Sequence, residues 1–238
     1  RKNVQMNYLL NGGKIKEIRL EERPRELMAI KGKDTLRIDE ILSLLIGSGI
    51  PNKSALDLSK DILNSIQGDL NKLGRFNQFD FMKFKGIGKA KSAVLVAALE
   101  LGRRRMVFET THRIDTILAS KDAYNLLRPH LSDLAHEEFW IIHLNRASRL
   151  IKLEKFSVGG VAGTSVDIKL LFKSALEQTS SAIILAHNHP SGQLQPSQAD
   201  KHLTKKIIEA ANLFEIQISD HLIVSSETYF SFADEGIL

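Results

Sequence analysis

The segment Ala182-Ile-Ile-Leu-Ala-His187-Asn-His189-Pro190 joins a continuous apolar run to two histidines. A short apolar run of this kind is typical of a strand that is buried on both faces. Because side chains alternate along an extended chain, His187 and His189 are expected to project to the same side, as two ligands of one metal ion must. Pro190 then turns the chain away from the strand direction.

A carboxylate follows at a suitable distance, in the segment Ser197-Gln-Ala-Asp200 that opens a helical pattern reaching Leu213. Asp200 is predicted to lie in the first helical turn, where the helix dipole favours a negative charge. Two imidazoles and one carboxylate suit zinc or another first-row divalent ion. Three protein ligands leave one position open for water, which is typical of catalytic zinc sites. The sequence thus predicts one Zn²⁺ per chain, held by His187, His189 and Asp200.

Helix capping is an alternative explanation of the same segment. Ser197-x-x-Asp200 before an apolar helical run has the pattern of a capping box, which would account for both residues without a metal. A single histidine is usually structural, and the chain has eight. Two histidines at the end of a strand followed by a carboxylate in the next helix occur together by chance less often than a single histidine. The metal site and the helix cap both stay open as explanations at this point.

Composition bounds the classes of function. The chain has no cysteine, which excludes disulfides, thiolate zinc ligands and thiol catalysis and fits a reducing, cytoplasmic location. No apolar run approaches the roughly 18 residues of a membrane span, and no signal peptide is recognised before Asn11. We therefore expect no membrane partner.

Charge is distributed unevenly along the chain. Residues 1–105 carry 21 Lys and Arg against 12 Asp and Glu, whereas residues 106–238 carry 12 against 16. A basic half joined to a mildly acidic half predicts a module that faces nucleic acid. A solvated basic surface without a partner is the alternative.

The spacing of apolar residues divides the chain into three parts. We predict an N-terminal arm over residues 1–18 with a helical domain up to residue 105, a linker over 106–114 and a mixed α/β domain over 115–238. In the last part the patterns predict helices over 122–128, 166–178 and 197–213, and strands over 138–144, 150–156, 182–186, 216–224 and 229–232.

A glycine-rich turn lies between two predicted helices of the basic half, at Gly86-Ile87-Gly88-Lys89 with Lys91 close behind. Glycines allow backbone N–H groups at a helix N-terminus to approach a phosphate closely. The turn resembles the helix-hairpin-helix motif and predicts DNA binding that is independent of sequence. Glycines that serve only to turn the chain are the alternative. A weak copy precedes it at Gly49-Ile-Pro-Asn-Lys-Ser54, with Pro51 at the position of Gly88.

The spacing His-x-His-Pro, then Ser-x-x-Asp, matches the JAMM motif of MPN-domain metallopeptidases. Wider stretches resemble the RadC family of the UPF0758 type over about residues 18–238. These stretches are Arg23-Pro-Arg-Glu26, Leu44-Leu-Ile-Gly-Ser-Gly49, Gly86-Ile-Gly-Lys-Ala-Lys91, Leu99-Glu-Leu-Gly-Arg103 and His187-Asn-His-Pro-Ser-Gly192. The resemblance implies an α+β protein of two domains: an all-α helix-hairpin-helix domain, then an MPN domain with an α/β/α, cytidine-deaminase-like fold.

The resemblance also implies roles for individual residues. A JAMM enzyme needs an upstream glutamate as its general base, and Glu154 is the best positional match. Ser197 would donate a hydrogen bond to the developing oxyanion. Asn188 stands where the eukaryotic enzymes commonly have Ser or Thr. Asp220-His221 also resembles RadC sequence, and we interpret this pair as structural.

Three functions are compatible with these patterns. The first is a DNA-associated zinc hydrolase that cleaves a peptide or isopeptide bond in an unidentified protein substrate, in the cytoplasm and with nucleoid association left open. A link to DNA repair rests on the family name alone. The second is a metal-dependent DNA hydrolase, and the third is a DNA-binding scaffold without catalysis. The sequence does not reveal the oligomeric state.

Overall fold

The computed structural model describes residues 23–132, 134–159 and 166–238. The chain divides into two compact units, with the boundary after Gly102. The predicted arm over residues 1–18 lies outside the described residues. Among the helices of the described part, none is both long and apolar enough to cross a membrane.

The N-terminal unit is helical, as predicted. Its helices are α1 (Pro24–Lys31), α2 (Ile38–Ile46), α3 (Ala55–Ser65), α4 (Leu70–Gly74), α5 (Gln78–Met82) and the first part of α6 (Lys89–Arg113), with a 3₁₀ turn at Lys33–Thr35. Ser54 caps α3 and accepts a hydrogen bond from the backbone N–H of Asp57. The core of the unit is built around the fully buried side chains of Leu58, Ile62 and Phe81.

The two glycine-containing turns of this unit contact each other. Gly86 has a φ of +100°, and a Cβ at this position would lie 2.9 Å from the Cγ2 atom of Ile50, so glycine is needed for both reasons. The Lys91 ammonium donates hydrogen bonds to the backbone oxygen of Ser48 and, at 3.1 Å, to that of Gly86. Lys91 therefore joins the weak copy of the turn to the second turn.

Helix α6 corrects the predicted linker. The sequence shows no clear period over residues 106–114, but the helix runs without interruption to Arg113. Arg105 and Glu109 form an ion pair one turn apart on its surface, an arrangement that supports exposed helices. Residues 106–113 thus belong to the helix and do not form an irregular connection.

The C-terminal unit contains a five-stranded mixed sheet, with the predicted order of elements. The strands are β1 (Glu138–Leu144), β2 (Leu150–Val158), β3 (Ala182–Asn188), β4 (Gln217–Val224) and β5 (Tyr229–Ser231), and the helices are α7 (Ser120–Leu131), α8 (Ile168–Glu177) and α9 (Gln198–Leu213). The spatial order is β2-β1-β3-β4-β5. β3 pairs antiparallel with β1 and parallel with β4, so it is a central strand.

Helices cover both faces of this sheet. On one face, Tyr124 and Leu127 of α7 pack against Trp140 and Ile184. On the other face, Leu171 of α8 and Ile207 of α9 belong to a second core with Phe139, Ile141 and Leu185. Alternate residues of β1 and β3 thus enter different cores, which gives the three-layer arrangement expected for an MPN-type domain.

We expect the substitution Lys91→Met to destabilise the N-terminal unit by about 1–2 kcal/mol, because two backbone carbonyls would lose a charged donor. Hydrogen exchange of peptides from α2 and α3, measured by mass spectrometry on the full chain, would report this loss. Lys89→Met is the matched control, since Lys89 is exposed at the start of α6. Equal exchange in both variants would contradict a structural role of Lys91.

Candidate metal centre

His187 lies near the carboxyl end of β3, where neighbouring strands hold it from both sides. It is opposite Phe139 of β1 and beside Ile223 of β4. Its side chain points to the same face as Leu185, towards α9, and it is only 1% exposed. His189 follows two residues later and its ring is tilted against that of His187, with centroids 4.8 Å apart.

Asp200 is at the N3 position of α9, and Ser197 is its N-cap. The Asp200 carboxylate accepts a hydrogen bond of 2.7 Å from the Ser197 backbone N–H, and the Ser197 hydroxyl accepts one of 3.1 Å from that of Asp200. The capping box is therefore present. The same carboxylate has its two oxygens 3.4 Å from Nε2 of His187 and 3.6 Å from Nε2 of His189. The Asp200 side chain therefore caps α9 and also lies where it can bind a metal ion together with the two histidines.

The donor atoms converge on one point. Nε2 of His187 and Nε2 of His189 are 3.0 Å apart, and the ligand atoms of His187, His189 and Asp200 all lie within 4.8 Å of one another. Nδ1 of His189 is 2.6 Å from the backbone oxygen of Gln193, which can only accept, so the lone pair of this ring is on Nε2. Tetrahedral zinc with bonds of about 2.0–2.1 Å places two nitrogens about 3.3 Å apart, so these residues fit such an ion.

Burial and the negative charge of Asp200 account for most of the pKa shifts of the three groups. Burial lowers the pKa of His187 to about 4, and the nearby Asp200 opposes this effect only in part. The Asp200 carboxylate, which accepts a hydrogen bond from the protonated form of the ring, raises the pKa of His189. Burial opposes ionisation of Asp200, but His189, His187 and Ser197 together hold the pKa of this carboxyl well below its usual range. Neutral His187 and anionic Asp200 are the forms that bind a cation.

A further buried histidine lies behind His187. His221 of β4 is fully buried, and its Nε2 atom is 2.9 Å from Nδ1 of His187. Its Nδ1 atom is 2.6 Å from the hydroxyl of Thr204 on α9. Burial holds the pKa of His221 well below its usual value, so the ring is neutral. The neighbouring Asp220 accepts hydrogen bonds from Ser231 and from the backbone of Ala233, which agrees with the structural role predicted for it.

Glu154, the predicted general base, is not brought to this cluster. It is opposite Ile141 in β2, two strand spacings from His187, or about 10 Å across the sheet. Its carboxylate accepts from the Ser174 hydroxyl and lies 2.9 Å from Nε2 of the buried His143. Lys152 also pairs with it. These partners hold Glu154 away from His187 and His189.

Glu137 is the carboxylate that the sequence reasoning missed. It directly precedes β1 and is two residues before Phe139, so alternation turns it to the face of His187. It is half-buried, and its charge is among those that raise the pKa of His189. The next residue, Glu138, is on the other face, where Lys155, His136 and Trp140 bind its carboxylate.

Asn188 holds the backbone on both sides of Glu137. Its Oδ1 atom accepts a hydrogen bond of 2.8 Å from the N–H of Glu138, and its Nδ2 atom donates one of 2.9 Å to the backbone oxygen of His136. The side chain is 2% exposed. Asn188 therefore links the loop before β1 to the strand that carries the histidines, and an amide is needed because it must accept and donate at once.

The predicted DNA-binding residues differ in exposure. Gly88 and Lys89 are exposed at the N-terminus of α6, and a Cβ at Gly88 would meet no other described heavy atom within 4 Å. Ile87 is buried in the core of the N-terminal unit, and Gly86 packs against Ile50. With Lys91 engaged by two carbonyl groups, Gly88 and Lys89 are the members of the set with an open surface.

Comparisons with known proteins agree with both units. The RadC-like JAB domain family model matches residues 117–237, and the UPF0758 N-terminal family model matches residues 15–93. A UPF0758 protein of Flavobacterium johnsoniae is 47% identical over 223 residues, covering 94% of this chain and 96% of the relative. UPF0758 proteins of Porphyromonas gingivalis and Rubrobacter xylanophilus are 41% and 36% identical, each over 94% of this chain and over 99% and 97% of the relative.

We expect Asp200→Asn to abolish tight metal binding while α9 keeps its cap, since the amide oxygen can still accept from the Ser197 N–H. Replacing partners of metal ligands typically costs 10–100-fold in affinity, so the loss of a ligand charge should cost more than about 100-fold. Elemental analysis and competition with a chelating dye would measure zinc affinity. Asp57→Asn is the matched control, because Asp57 forms the same capping box with Ser54. Equal zinc affinity in the two variants would contradict the site.

Proposed function

Since the chain belongs to the UPF0758 family of proteins with a RadC-like JAB domain, we propose that its C-terminal unit is a zinc-dependent hydrolase of peptide or isopeptide bonds. The observation that carries this proposal is the convergence of Nε2 of His187, Nε2 of His189 and the Asp200 carboxylate on one point. Three protein ligands leave a position for water, which suits hydrolysis rather than a structural role.

The chemistry divides between the metal and the side chains. Zinc at this site would lower the pKa of water from about 16 towards about 7 and polarise a carbonyl group. Glu137 is the general base in this proposal: its carboxylate takes a proton from water and delivers it to the leaving nitrogen. Its half-buried position on the His187 face supports this role, and the hydrogen bonds of Asn188 hold its backbone in place.

Ser197 is proposed to stabilise the oxyanion. Its hydroxyl oxygen accepts from the Asp200 N–H, which leaves its own O–H group able to donate to a substrate oxygen. The cap also fixes the position of Ser197 next to Asp200, so the donor needs no reorganisation during the reaction. Removal of one such donor has cost about 3–4 kcal/mol of transition-state stabilisation in other hydrolases.

The two alternatives from the sequence have less support. A DNA hydrolase commonly uses two metal ions, and the described residues contain one group of three potential ligands. A non-catalytic scaffold needs neither neutral, buried histidines nor a carboxylate kept ionised beside them. Buried charged groups are usually paired or coordinate a metal, and the convergence of these three groups on one point favours a metal centre.

We expect Glu137→Gln to lower hydrolysis by at least about 100-fold while zinc affinity stays within about twofold of the wild type, since a general base contributes 10²–10⁴-fold. The zinc-loaded full chain would be incubated with a bacterial proteome-derived peptide library and with branched peptides joined through a lysine side chain. Mass spectrometry of newly formed amines measures cleavage. Glu154→Gln is the matched control and should retain activity.

Two results would overturn parts of this proposal. If the Glu137→Gln variant forms new amines at the wild-type rate and the Glu154→Gln variant forms none, the general base is Glu154. A zinc-loaded wild type that generates no amines beyond those of the Asp200→Asn variant, on either class of substrate, would contradict peptide or isopeptide hydrolysis.

A second proposed function concerns the N-terminal unit, which we infer binds DNA through phosphate contacts. The supporting observation is the open surface at Gly88, where the first backbone N–H groups of α6 and the exposed Lys89 lie together. A helix N-terminus with an adjacent lysine attracts phosphate oxygens without reading bases. In this proposal DNA brings the hydrolase near a protein substrate, in a cytoplasmic location associated with the nucleoid and compatible with DNA repair.

We expect Lys89→Gln to weaken binding to a 30-base-pair duplex about 3–10-fold and to lower the slope of log affinity against log salt concentration by about 0.9, the value for one lost phosphate contact. Fluorescence anisotropy at several salt concentrations measures both quantities. Lys206→Gln, an exposed position on α9, controls for net charge. Identical slopes for the two variants would contradict a phosphate site at α6.

A further inference from the structure

A chain of hydrogen bonds connects the backbone of one proposed ligand to the ring of another. The Thr204 hydroxyl is 2.7 Å from the backbone oxygen of Asp200 and 2.6 Å from Nδ1 of His221. Nε2 of His221 is in turn 2.9 Å from Nδ1 of His187. The chain thus begins at Asp200 on α9, crosses to β4 and ends at His187 on β3.

The protonation of His187 depends on this chain. A neutral imidazole has one N–H group, and only the nitrogen without hydrogen can bind a metal ion. For His189 the partner is a backbone oxygen, which can only accept. For His187 the partner is another imidazole, which can donate or accept. The pair alone therefore does not decide which nitrogen of His187 is free.

Thr204 removes this ambiguity. The backbone oxygen of Asp200 has no proton, so the Thr204 hydroxyl must donate to it. Because the hydroxyl has a single proton, it can only accept from Nδ1–H of His221. The neutral ring of His221 then has a bare Nε2 atom, which accepts from Nδ1–H of His187. This leaves the lone pair of His187 on Nε2, 3.0 Å from Nε2 of His189, whose lone pair is also free. Two such lone pairs are compatible when a cation lies between them, so the chain favours the metal-bound arrangement.

We propose that Thr204 and His221 are positioning residues that select the metal-binding tautomer of His187. This inference rests on the proposed metal site, but not on the substrate or on the reaction. It also gives His221 a role beyond the structural one that the sequence suggested. Partners of metal-bound histidines commonly orient the ring and fix its tautomer. Here Thr204, at the end of the hydrogen-bond chain, determines which nitrogen of His221 carries the proton and thereby fixes the tautomer of His187.

The burial of His221 and Thr204 strengthens the selection of the His187 tautomer. His221 is fully buried and Thr204 is 2% exposed, so solvent does not offer a second partner to either group. The ring of His221 is stacked on Phe232, with centroids 4.8 Å apart, and meets the edge of Phe139 at 5.8 Å. These contacts keep Nε2 directed at His187, and a wrong tautomer would place two N–H groups or two lone pairs face to face.

The test compares Thr204→Val with Thr204→Ser in the full chain. Valine has the shape of threonine without the hydroxyl, so Nδ1 of His221 loses its acceptor and the ring can present N–H to His187. Serine keeps the hydroxyl. We expect zinc affinity, measured by competition with a chelating dye, to fall about 10-fold or more in Thr204→Val and to stay within about twofold of the wild type in Thr204→Ser.

A spectroscopic readout separates this role from loss of packing. Long-range ¹H–¹⁵N spectra of the zinc-loaded wild type should show His221 with its proton on Nδ1, and the Thr204→Val variant at the same zinc concentration should show a population of His221 with the proton on Nε2. Zinc-loaded wild-type protein with His221 protonated on Nε2 would overturn the inference, and so would wild-type zinc affinity in Thr204→Val.

The design remains decisive if Thr204→Val does not fold, as judged by circular dichroism. In that case His221→Phe, which keeps an aromatic ring but has no acceptor, should show the same loss of zinc affinity, and the tautomer of the wild type is measured without any substitution. Neither zinc affinity nor the tautomer depends on cleavage. A protein with the expected tautomer that hydrolyses nothing would therefore contradict the proposed function alone.

Discussion

Three strands meet where β3 ends, because β1 pairs with it antiparallel and β4 pairs with it parallel. This register turns His187 towards α9 and its neighbour Asn188 towards the opposite face. His187 thus joins the proposed ligand set, and Asn188 holds the loop before β1 in place. A slip of one residue would exchange the two faces and lose both roles, so the register of β3 underlies every other feature of the site.

The negative charge at the site comes from carboxylates. Burial keeps His187 and His221 neutral, and the ionised Asp200 lies at the positive end of α9. Asp200 is therefore the anionic member of the proposed ligand set. Glu137 adds a second negative charge nearby. These two carboxylates would attract a divalent cation to the proposed site, where the histidine rings are already oriented.

Sequence patterns predicted what is local. The apolar run of β3, the histidines two residues apart and the cap of α9 are all encoded within 19 residues of chain, from Ala182 to Asp200, and all are present. What depends on distant pairing was not predictable in this way. The sequence alone does not distinguish the roles of Glu137 and Glu138, and only the pairing of β1 with β3 shows which one faces His187. Similarly, the role of Lys91 depends on Ser48, which is 43 positions away.

The capping box at α9 has a consequence for metal binding at the proposed site. Since the backbone N–H of Ser197 already holds the Asp200 carboxylate, and since Gln193 and His221 already hold the two histidine rings, little ordering remains for the moment of metal uptake. A zinc ion at the proposed site would therefore meet ligands whose orientation is set by the rest of the fold, in contrast to small zinc domains whose folding requires the metal.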